Sequence, residues 1–549
     1  MTTAGTRSVA GAILELLGQH GTTHVFGIPG VHNLPFWDVD SAVAPRIVGV
    51  RHEQAAGYAA DAYYRTCGVP SAAVVTSGPG TANVVTAFGE AYVSGSPVIV
   101  LASEVSMGHR VSGGPRGLLH EMVDQGAMFE AFGATARSAR TRQEAIASTV
   151  LALRDAWGPP ARGSYVGVPT DVLGEDWTAS IPHLPRMPAP SPDPHEVSLL
   201  AELISAAERP LLWLGGGVVA ADAQDAARAL AHHLGAPVLT SYAGRGLLAG
   251  DPLLVDAPIH EPEVAAVLGA ADLLIVLGSS FDAMNTKNWR LALPERRAVV
   301  ALGDMVRRTV DFDVAVEADV ALTLAALAEA LEDTGASTRV PWTDVTGVRG
   351  AVLARLASDP RTTSAVELVG QVDRTWPADA AVVCDMAVSA YWVGGYSSQP
   401  RPRRLVHSIG WGTLGFALPA SIGPAAAGTP TLAVCGDGGP MFALGELATM
   451  AQESLPVTVL VVDDGGYGML RYDQQVFGHP ERGVDLFTPD WAALAGAFGI
   501  ATEQVEHAGQ VGAALARAHE ANLRGEPRLV VWPHRLFPPR TQSPRWFED

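Results

Sequence analysis

Thr431-Leu-Ala-Val-Cys-Gly436-Asp437-Gly438-Gly439-Pro-Met-Phe reads as a buried strand that runs into a glycine turn and then a helix. A phosphate suits such a turn. Glycines let the backbone approach closely, the helix N-terminus presents free N–H groups, and Asp437 at the strand end offers a hard oxygen to a divalent cation. Taken alone the turn is short and fits a structural role equally well. A second stretch, Val457-Thr-Val-Leu-Val-Val-Asp463-Asp464-Gly465-Gly466-Tyr467-Gly468, is another apolar strand ending in carboxylates and glycines, with 24 residues between Gly438 and Asp463. Two adjacent strand ends then face one ion.

The alternation of strand and helix extends upstream. From Ser8 to about Gly174, amphipathic helices alternate with short strands such as Ala72–Thr76 and Val98–Ala102, each closed by Gly, Ser or Pro. Ile181–Pro194 holds six prolines within fourteen residues, which excludes a helix or a central strand and marks a linker. A second βα series follows, with strands at Pro210–Leu214, Pro237–Thr240, Leu273–Val276 and Ala298–Ala301. After the polar stretch Glu332–Asp344, a third series supplies Ala381–Cys384, Thr431–Cys435, Val457–Val462 and Leu529–Trp532, with a helix at Ala443–Glu453. The expectation is an α/β chain of three consecutive doubly wound parallel-sheet domains, at 1–180, 195–335 and 360–549.

With 549 residues, 48% of them hydrophobic and 17% charged, the chain fills several cores and is too apolar for disorder. A net charge of −20 repels phosphate backbones and anionic membranes, so nucleic acid and membrane are not expected partners. Met1–Ser8 lacks the order of a secretory signal, and no apolar run reaches the ~18 residues of a membrane span. A soluble cytoplasmic protein is expected. Cys67, Cys384 and Cys435 are odd in number and far apart, which argues against a disulfide framework or a cysteine zinc site and reads as small buried residues.

In the first unit, Ile47-Val-Gly-Val50 leads into Arg51-His52-Glu53-Gln54-Ala-Ala-Gly57-Tyr58-Ala-Ala-Asp61-Ala62-Tyr63, a strand that runs into a small-residue helix. Glu53 sits at the junction. A lone glutamate there is ordinarily a charge that complements the helix dipole. The flanking segments alter that reading: Val25-Phe-Gly-Ile-Pro29-Gly30-Val31-His32-Asn-Leu-Pro precedes it, and Thr76-Ser-Gly78-Pro79-Gly80-Thr81-Ala-Asn83 follows.

Together with Gly436-Asp437-Gly438 and Asp463-Asp464, these segments resemble the thiamine diphosphate (ThDP)-dependent superfamily of acetolactate synthases, benzaldehyde lyases and 2-oxo acid decarboxylases, over nearly the whole chain. The resemblance implies Mg²⁺ held by Asp437, the Asp464 side chain and the Gly466 carbonyl, with diphosphate oxygens completing an octahedron. It implies cofactor contacts at Pro29, Thr76, Asn83, Gly438, Gly439, Tyr467, Gly468 and Met469, and a softer match places Val388 and Ser389 at the diphosphate. Glu53 becomes the catalytic carboxyl, hydrogen-bonded to the pyrimidine N1′ so that the ring reaches the tautomer that activates C2. Ser408-Ile-Gly-Trp-Gly412-Thr413-Leu414-Gly415-Phe416 resembles the segment that bends the cofactor, which makes Leu414 the wedge and the Gly412 carbonyl the acceptor for the 4′-amine. Each site is expected between two chains of a homodimer or homotetramer, one giving Glu53 and the other Asp437.

Departures from the family pattern bear on the reaction. Asp463 replaces the usual first Asn; aimed at the metal it would crowd the diphosphate with charge, so it is expected to point elsewhere. His120, in Leu118-Leu119-His120-Glu121-Met122, stands where acetolactate synthases carry Gln, and Tyr472-Asp473 stands where they carry Gln-Trp. His32 matches a histidine of the benzaldehyde lyase branch, and with His120 it would handle a product proton. Arg471 is left unassigned, between a substrate carboxylate and solvent. In the middle unit, Leu214-Gly-Gly-Gly217-Val and Leu277-Gly-Ser-Ser280-Phe281-Asp282 lie where relatives hold FAD but lack the basic flavin motif, so FAD is not predicted. The reading is a carboligase that decarboxylates a small, pyruvate-like 2-oxo acid and transfers the acyl unit to a carbonyl acceptor. The alternatives are a non-oxidative lyase, either a decarboxylase or an acyloin-cleaving enzyme, and a non-catalytic homologue.

Overall fold

The computed structural model describes residues 7–109, 116–185, 187–303, 310–333 and 337–547. Most of the stretch read for a leader, and the outer ends of the first and third units, lie outside them. The chain forms three parallel α/β sheets in series, as the alternating pattern predicts. Across the first sheet the strands run Arg46–Gly49, His24–Gly27, Ala72–Val75, Ile99–Glu104, Ser164–Pro169 and Thr135–Ser138. Across the third they run Leu405–His407, Ala381–Cys384, Thr431–Gly436, Val457–Asp463, Arg528–Pro533 and Ala501–Gln504. Numbered within each unit, both sheets have the order 2-1-3-4-6-5. The middle sheet has five strands in the order 2-1-3-4-5.

That order fixes where ligands can sit. Strands 1 and 3 of a unit are neighbours whose connections leave to opposite sides, and the crevice between their carboxyl ends is the binding position of open α/β sheets. In the first unit this crevice lies between Gly27 and Val75, which brings together the segments beginning at Ile28 and Thr76. In the third it lies between Cys384 and Val434, which brings Asp385 beside Gly436 and Asp437.

Central strands such as Ala72–Val75 and Leu273–Leu277 are buried along their whole length, as two-sided cores require. The sequence reading named these apolar runs but not Thr135–Ser138, Ala501–Gln504, Val314–Val316, Ser164–Pro169 or Leu405–His407. The first two are half-exposed edge strands with polar residues, so no apolar run announces them. The helix expected at Ala443–Glu453 is shorter, Glu446–Gln452, because Pro440–Phe442 forms a 3₁₀ turn first. Ile181 and Leu184 of the proline-rich linker pack on the core of the first unit. Cys384 and Cys435 are buried as expected, but Cys67 is exposed because it ends its helix one residue before the left-handed Gly68 cap.

The small residues of Glu53–Cys67 have a tertiary purpose. This helix packs against Ala417–Ala420 and Ile422–Ala426 of the third unit, and a Cβ on Gly423 would lie 2.1 Å from the Ala59 carbonyl oxygen. Tyr58 meets Phe416 edge to face at 5.1 Å. The first and third units thereby share one apolar cluster. No helix among the described residues is long and apolar enough to cross a membrane.

Candidate cofactor site

The site residues named from sequence fall into two groups, or half-sites, one at the carboxyl ends of the strands of the first sheet and one at those of the third. In the first unit, Glu53 is the first residue of its helix, behind His52, whose ring Nδ1 accepts from the Gln54 N–H at 3.2 Å. Asn83 Nδ2 donates to Glu53 Oε2 at 3.0 Å. Thr76 is buried beneath it with no hydrogen-bond partner for its hydroxyl among the described residues. A Cβ on Gly30 would lie 2.7 Å from Thr76 Cβ, and one on Gly80 would lie 3.1 Å from Glu53 Oε1. The two glycines therefore keep the space around Thr76 and Glu53 open, with Pro29 exposed at its edge.

His32 and His120 lie on the same side of this unit. Their ring centroids are 5.4 Å apart and nearly perpendicular, and His32 Nδ1 is 2.6 Å from Ser77 Oγ. Burial, and then the neighbouring His120, push the His32 imidazole below its ordinary value of 6.5. His120 has φ +63°, and its Nδ1 is buried without a hydrogen-bond partner among the described residues. Its loop is held from two sides. Glu121 accepts the backbone N–H groups of Arg116, Gly117 and Leu118, and the side chain of buried Gln125 accepts from the Gly78 N–H while donating to the Ser103 carbonyl and the Tyr165 hydroxyl. Glu121 and Gln125 are supporting residues that sequence reading had not singled out.

The second half-site is built on Thr431–Gly436 and Val457–Asp463, which pair in register from Thr431–Val457 to Gly436–Val462. Asp437 is 2% exposed. Its Oδ1 accepts a long bond from the Asp464 N–H, 3.4 Å, while its Oδ2 is buried with no hydrogen-bond partner among the described residues; Asp464 Oδ1 is buried too and lies 3.6 Å from Arg471 Nη1. Burial raises the Asp437 carboxyl to about 6, with the Asp464 and Asp463 carboxylates adding to the rise. Asp464 is raised as well, chiefly by burial, against the opposing pull of Arg471. Arg471 answers the charge of Asp464, whereas the buried Asp437 carboxylate has no cation beside it among the described residues, a costly state unless a bound ion joins it. The donor set, two carboxylates and the strand-end carbonyls, suits a hard divalent ion that takes its remaining ligands from a phosphate.

Glycines shape this half-site too. Gly466 has φ +151°, and a Cβ there would lie 1.9 Å from the Val484 carbonyl oxygen; on Gly468 it would lie 1.9 Å from Asp464 Oδ2. Gly438 leaves room for the Tyr467 ring, and Gly439 leaves room for Asp385 Oδ2 at 2.7 Å. Met469 turns into the core of the third unit. Asp463 is engaged apart from Asp437 and Asp464: it accepts from the Trp491 indole N–H at 2.9 Å and from the Gly465 N–H at 3.1 Å. Arg471 neither exits to solvent nor stands free for a substrate. It is buried, donates to the Gly465 carbonyl at 3.2 Å, and pairs with Asp485 at 2.9 Å.

Val388 and Ser389 open the helix Val388–Tyr396 at the switch point. The Ser389 hydroxyl donates to the Cys435 carbonyl at 3.0 Å, so its proton is already engaged within the unit. Gly412 has φ +80° and is exposed, Leu414 is half-buried, and a Cβ on Gly415 would lie 2.7 Å from Phe442 Cβ. The loop with the proposed wedge thus rests on the turn that follows Gly439. In the middle unit the corresponding crevice is closed by backbone: the Gly217 N–H donates to the Gly278 carbonyl at 2.7 Å, and a Cβ on either glycine would lie 2.7 Å from the other's backbone.

Among the described residues, the hydrogen-bond partner of Glu53 belongs to the first unit and that of Asp437 to the third. Comparison with known proteins agrees with this division. Residues 7–128 match the N-terminal TPP binding domain of thiamine pyrophosphate enzymes, 197–327 their central domain and 385–531 their C-terminal TPP binding domain. A probable 2-ketoarginine decarboxylase of Pseudomonas aeruginosa is 35% identical over 509 residues, covering 90% of this chain and 88% of that one. An acetolactate synthase of Mycobacterium avium is 32% identical over 528 residues (90% and 83%), and an acetolactate synthase large subunit of Corynebacterium glutamicum is 28% identical over 544 residues (94% and 85%). The chain belongs to the thiamine pyrophosphate enzymes.

Proposed function

We propose that the chain decarboxylates a small, pyruvate-like 2-oxo acid and transfers the acyl unit to a carbonyl acceptor, using ThDP and Mg²⁺ in the cytoplasm. The observation that carries this reading is the buried Asp437 Oδ2, which has no hydrogen-bond partner among the described residues, beside Asp464 at the adjacent strand end. Bound ThDP supplies a nucleophilic carbon for the acyl group and holds the electron pair left when CO₂ departs. Asp437, Asp464 and the Gly466 carbonyl hold the metal that anchors the diphosphate. Glu53, steadied by Asn83, holds a proton at the pyrimidine nitrogen. His32, with Nδ1 engaged by Ser77, leaves Nε2 to exchange a proton with the product hydroxyl beside His120.

A second copy of the chain completes each site in this reading, in a homodimer or a homotetramer. Exposed apolar residues flank both half-sites and support it: Val31, Leu119 and Val123 beside the histidine pair, and Phe442, Leu470 and Phe487 beside the metal loop. A second reaction, release of a free aldehyde, is favoured by His120 in place of glutamine and by the relative named as a 2-ketoarginine decarboxylase.

The test is incubation of the protein with Mg²⁺, ThDP and a series of 2-oxo acids, read by CO₂ release and mass spectrometry of the product. A coupled hydroxyketone supports the carboligase; free aldehyde alone replaces it with the lyase. Cofactor binding without turnover of any donor would make the chain a non-catalytic homologue.

A further inference from the structure

Glu90 is a fully buried carboxylate on the helix Val85–Val93 of the first unit, and most of its hydrogen bonds reach into the third. Its Oε2 accepts from the Trp411 N–H at 3.3 Å, the Thr413 N–H at 3.3 Å and the Thr413 hydroxyl at 3.1 Å. Its Oε1 accepts from Ser94 Oγ at 3.0 Å and lies 3.6 Å from Arg65, which also clasps Asp61 and donates to the His407 carbonyl. Room for this approach comes from Gly410, where a Cβ would lie 2.1 Å from Ser94 Oγ and 3.2 Å from Glu90 Oε1.

The consequence falls on Gly412. Its own N–H is bonded to the Ser408 carbonyl at 3.1 Å, so the direction of its carbonyl is set by the peptide that joins it to Thr413. In a trans peptide, the C=O of one residue and the N–H of the next point to opposite sides. Glu90 draws the Thr413 N–H into the buried side, so the Gly412 carbonyl points outward, on a residue that is exposed and held at φ +80°. The far end of the loop is fixed separately, by the Gly415 N–H on Asp385 Oδ1 at 2.9 Å.

We propose that Glu90 is a positioning residue that aims the Gly412 carbonyl at the aminopyrimidine's exocyclic amine. The proposal rests on the ThDP reading above. A carboxylate suits the task because one oxygen accepts from two backbone N–H groups and a hydroxyl while Arg65 balances its charge; an amide in its place presents one acceptor and a competing N–H₂ donor.

The experiment is calorimetric titration of the Mg²⁺-loaded protein with ThDP and with its 4′-deamino analogue, for the wild type, Glu90→Gln, Glu90→Asp and Ser94→Ala. The wild type should prefer ThDP by about tenfold, the worth of one well-made hydrogen bond. Glu90→Gln and Glu90→Asp should bring the two ligands to within about threefold, whereas Ser94→Ala, which leaves the bonds to the loop in place, should keep the preference. Glu90→Asp keeps the charge facing Arg65, so it provides a folded protein if the amide variant does not. Full preference in either folded Glu90 variant overturns the proposal. Failure of both ligands to bind the wild type overturns the cofactor reading itself.

Discussion

Asp463 and Asp464 are adjacent in the chain and turn in different directions: the first is bonded to the Trp491 indole and the Gly465 N–H, while the second has Oδ1 buried 3.6 Å from Arg471 Nη1 and its N–H on Asp437 Oδ1. The expected outcome for Asp437→Asn follows. Without metal the variant should melt higher than the wild type, since it removes one of two repelling buried carboxylates, by about 2 kcal/mol at most. It should also lose the stabilisation that Mg²⁺ and ThDP confer together. Thermal melts with and without both ligands check this; a variant that melts lower and is still stabilised contradicts the assignment.

Gly468→Ala should act through its neighbour. The new methyl would lie 1.9 Å from Asp464 Oδ2, so the carboxylate must move. Affinity for Mg²⁺ and ThDP should fall by about tenfold or more, the usual cost of disturbing a metal ligand's support. Titration against Gly496→Ala, where a Cβ meets nothing within 4 Å, separates this from a general effect on stability.

Glu53→Gln removes the proton-holding group while keeping size and the contact with Asn83. Melting temperature and ThDP affinity should stay near the wild-type values, and turnover should drop by about 100-fold or more. Retained turnover in the glutamine variant would remove Glu53 from the mechanism.

The His32 imidazole is lowered first by burial and second by His120. In His120→Asn its titration midpoint, followed by proton NMR of the ring, should rise yet stay below 6.5, because the burial persists. An unchanged midpoint would show that the two rings do not interact.

Burial lowers His407 to about 4, with its Nε2 3.1 Å from the Asp385 carbonyl. The folded protein keeps this ring neutral down to about pH 4, whereas the unfolded ring takes up a proton near 6.5. Its contribution to stability is therefore complete above pH 6.5 and is lost as the pH falls from there toward 4, about 3 kcal/mol in all. Denaturation midpoints at pH 7.5 and 5 should differ less in His407→Gln than in the wild type.

Local patterns announced a good part of this molecule. The strand Thr431–Gly436 and its glycine turn, the strand Val457–Asp463, and the helix start at Glu53 were legible because apolar runs ending in Gly and Asp have few other physical uses. Arg471 was not legible: an arginine five residues beyond Gly466 reads as exposed until Val484–Leu486 folds back beside it. Glu90 escaped for a related reason, since Trp411 and Thr413 lie far away in the chain, and the edge strands escaped because no apolar run marks them.

Sequence alone determined that the chain is a series of parallel α/β units and that Asp437, Asp464 and Glu53 stand at strand or helix ends, because backbone periodicity and glycine conformation are local properties. Tertiary structure alone decided that Asp463 finds the Trp491 indole and Asp464 the Arg471 guanidinium, that Thr76 and two glycines open space at Glu53, and that Glu90 reaches the 411–413 loop. Those outcomes depend on which distant groups satisfy a buried charge or hydrogen bond. No local pattern encodes that pairing; it exists only once the sheets are packed.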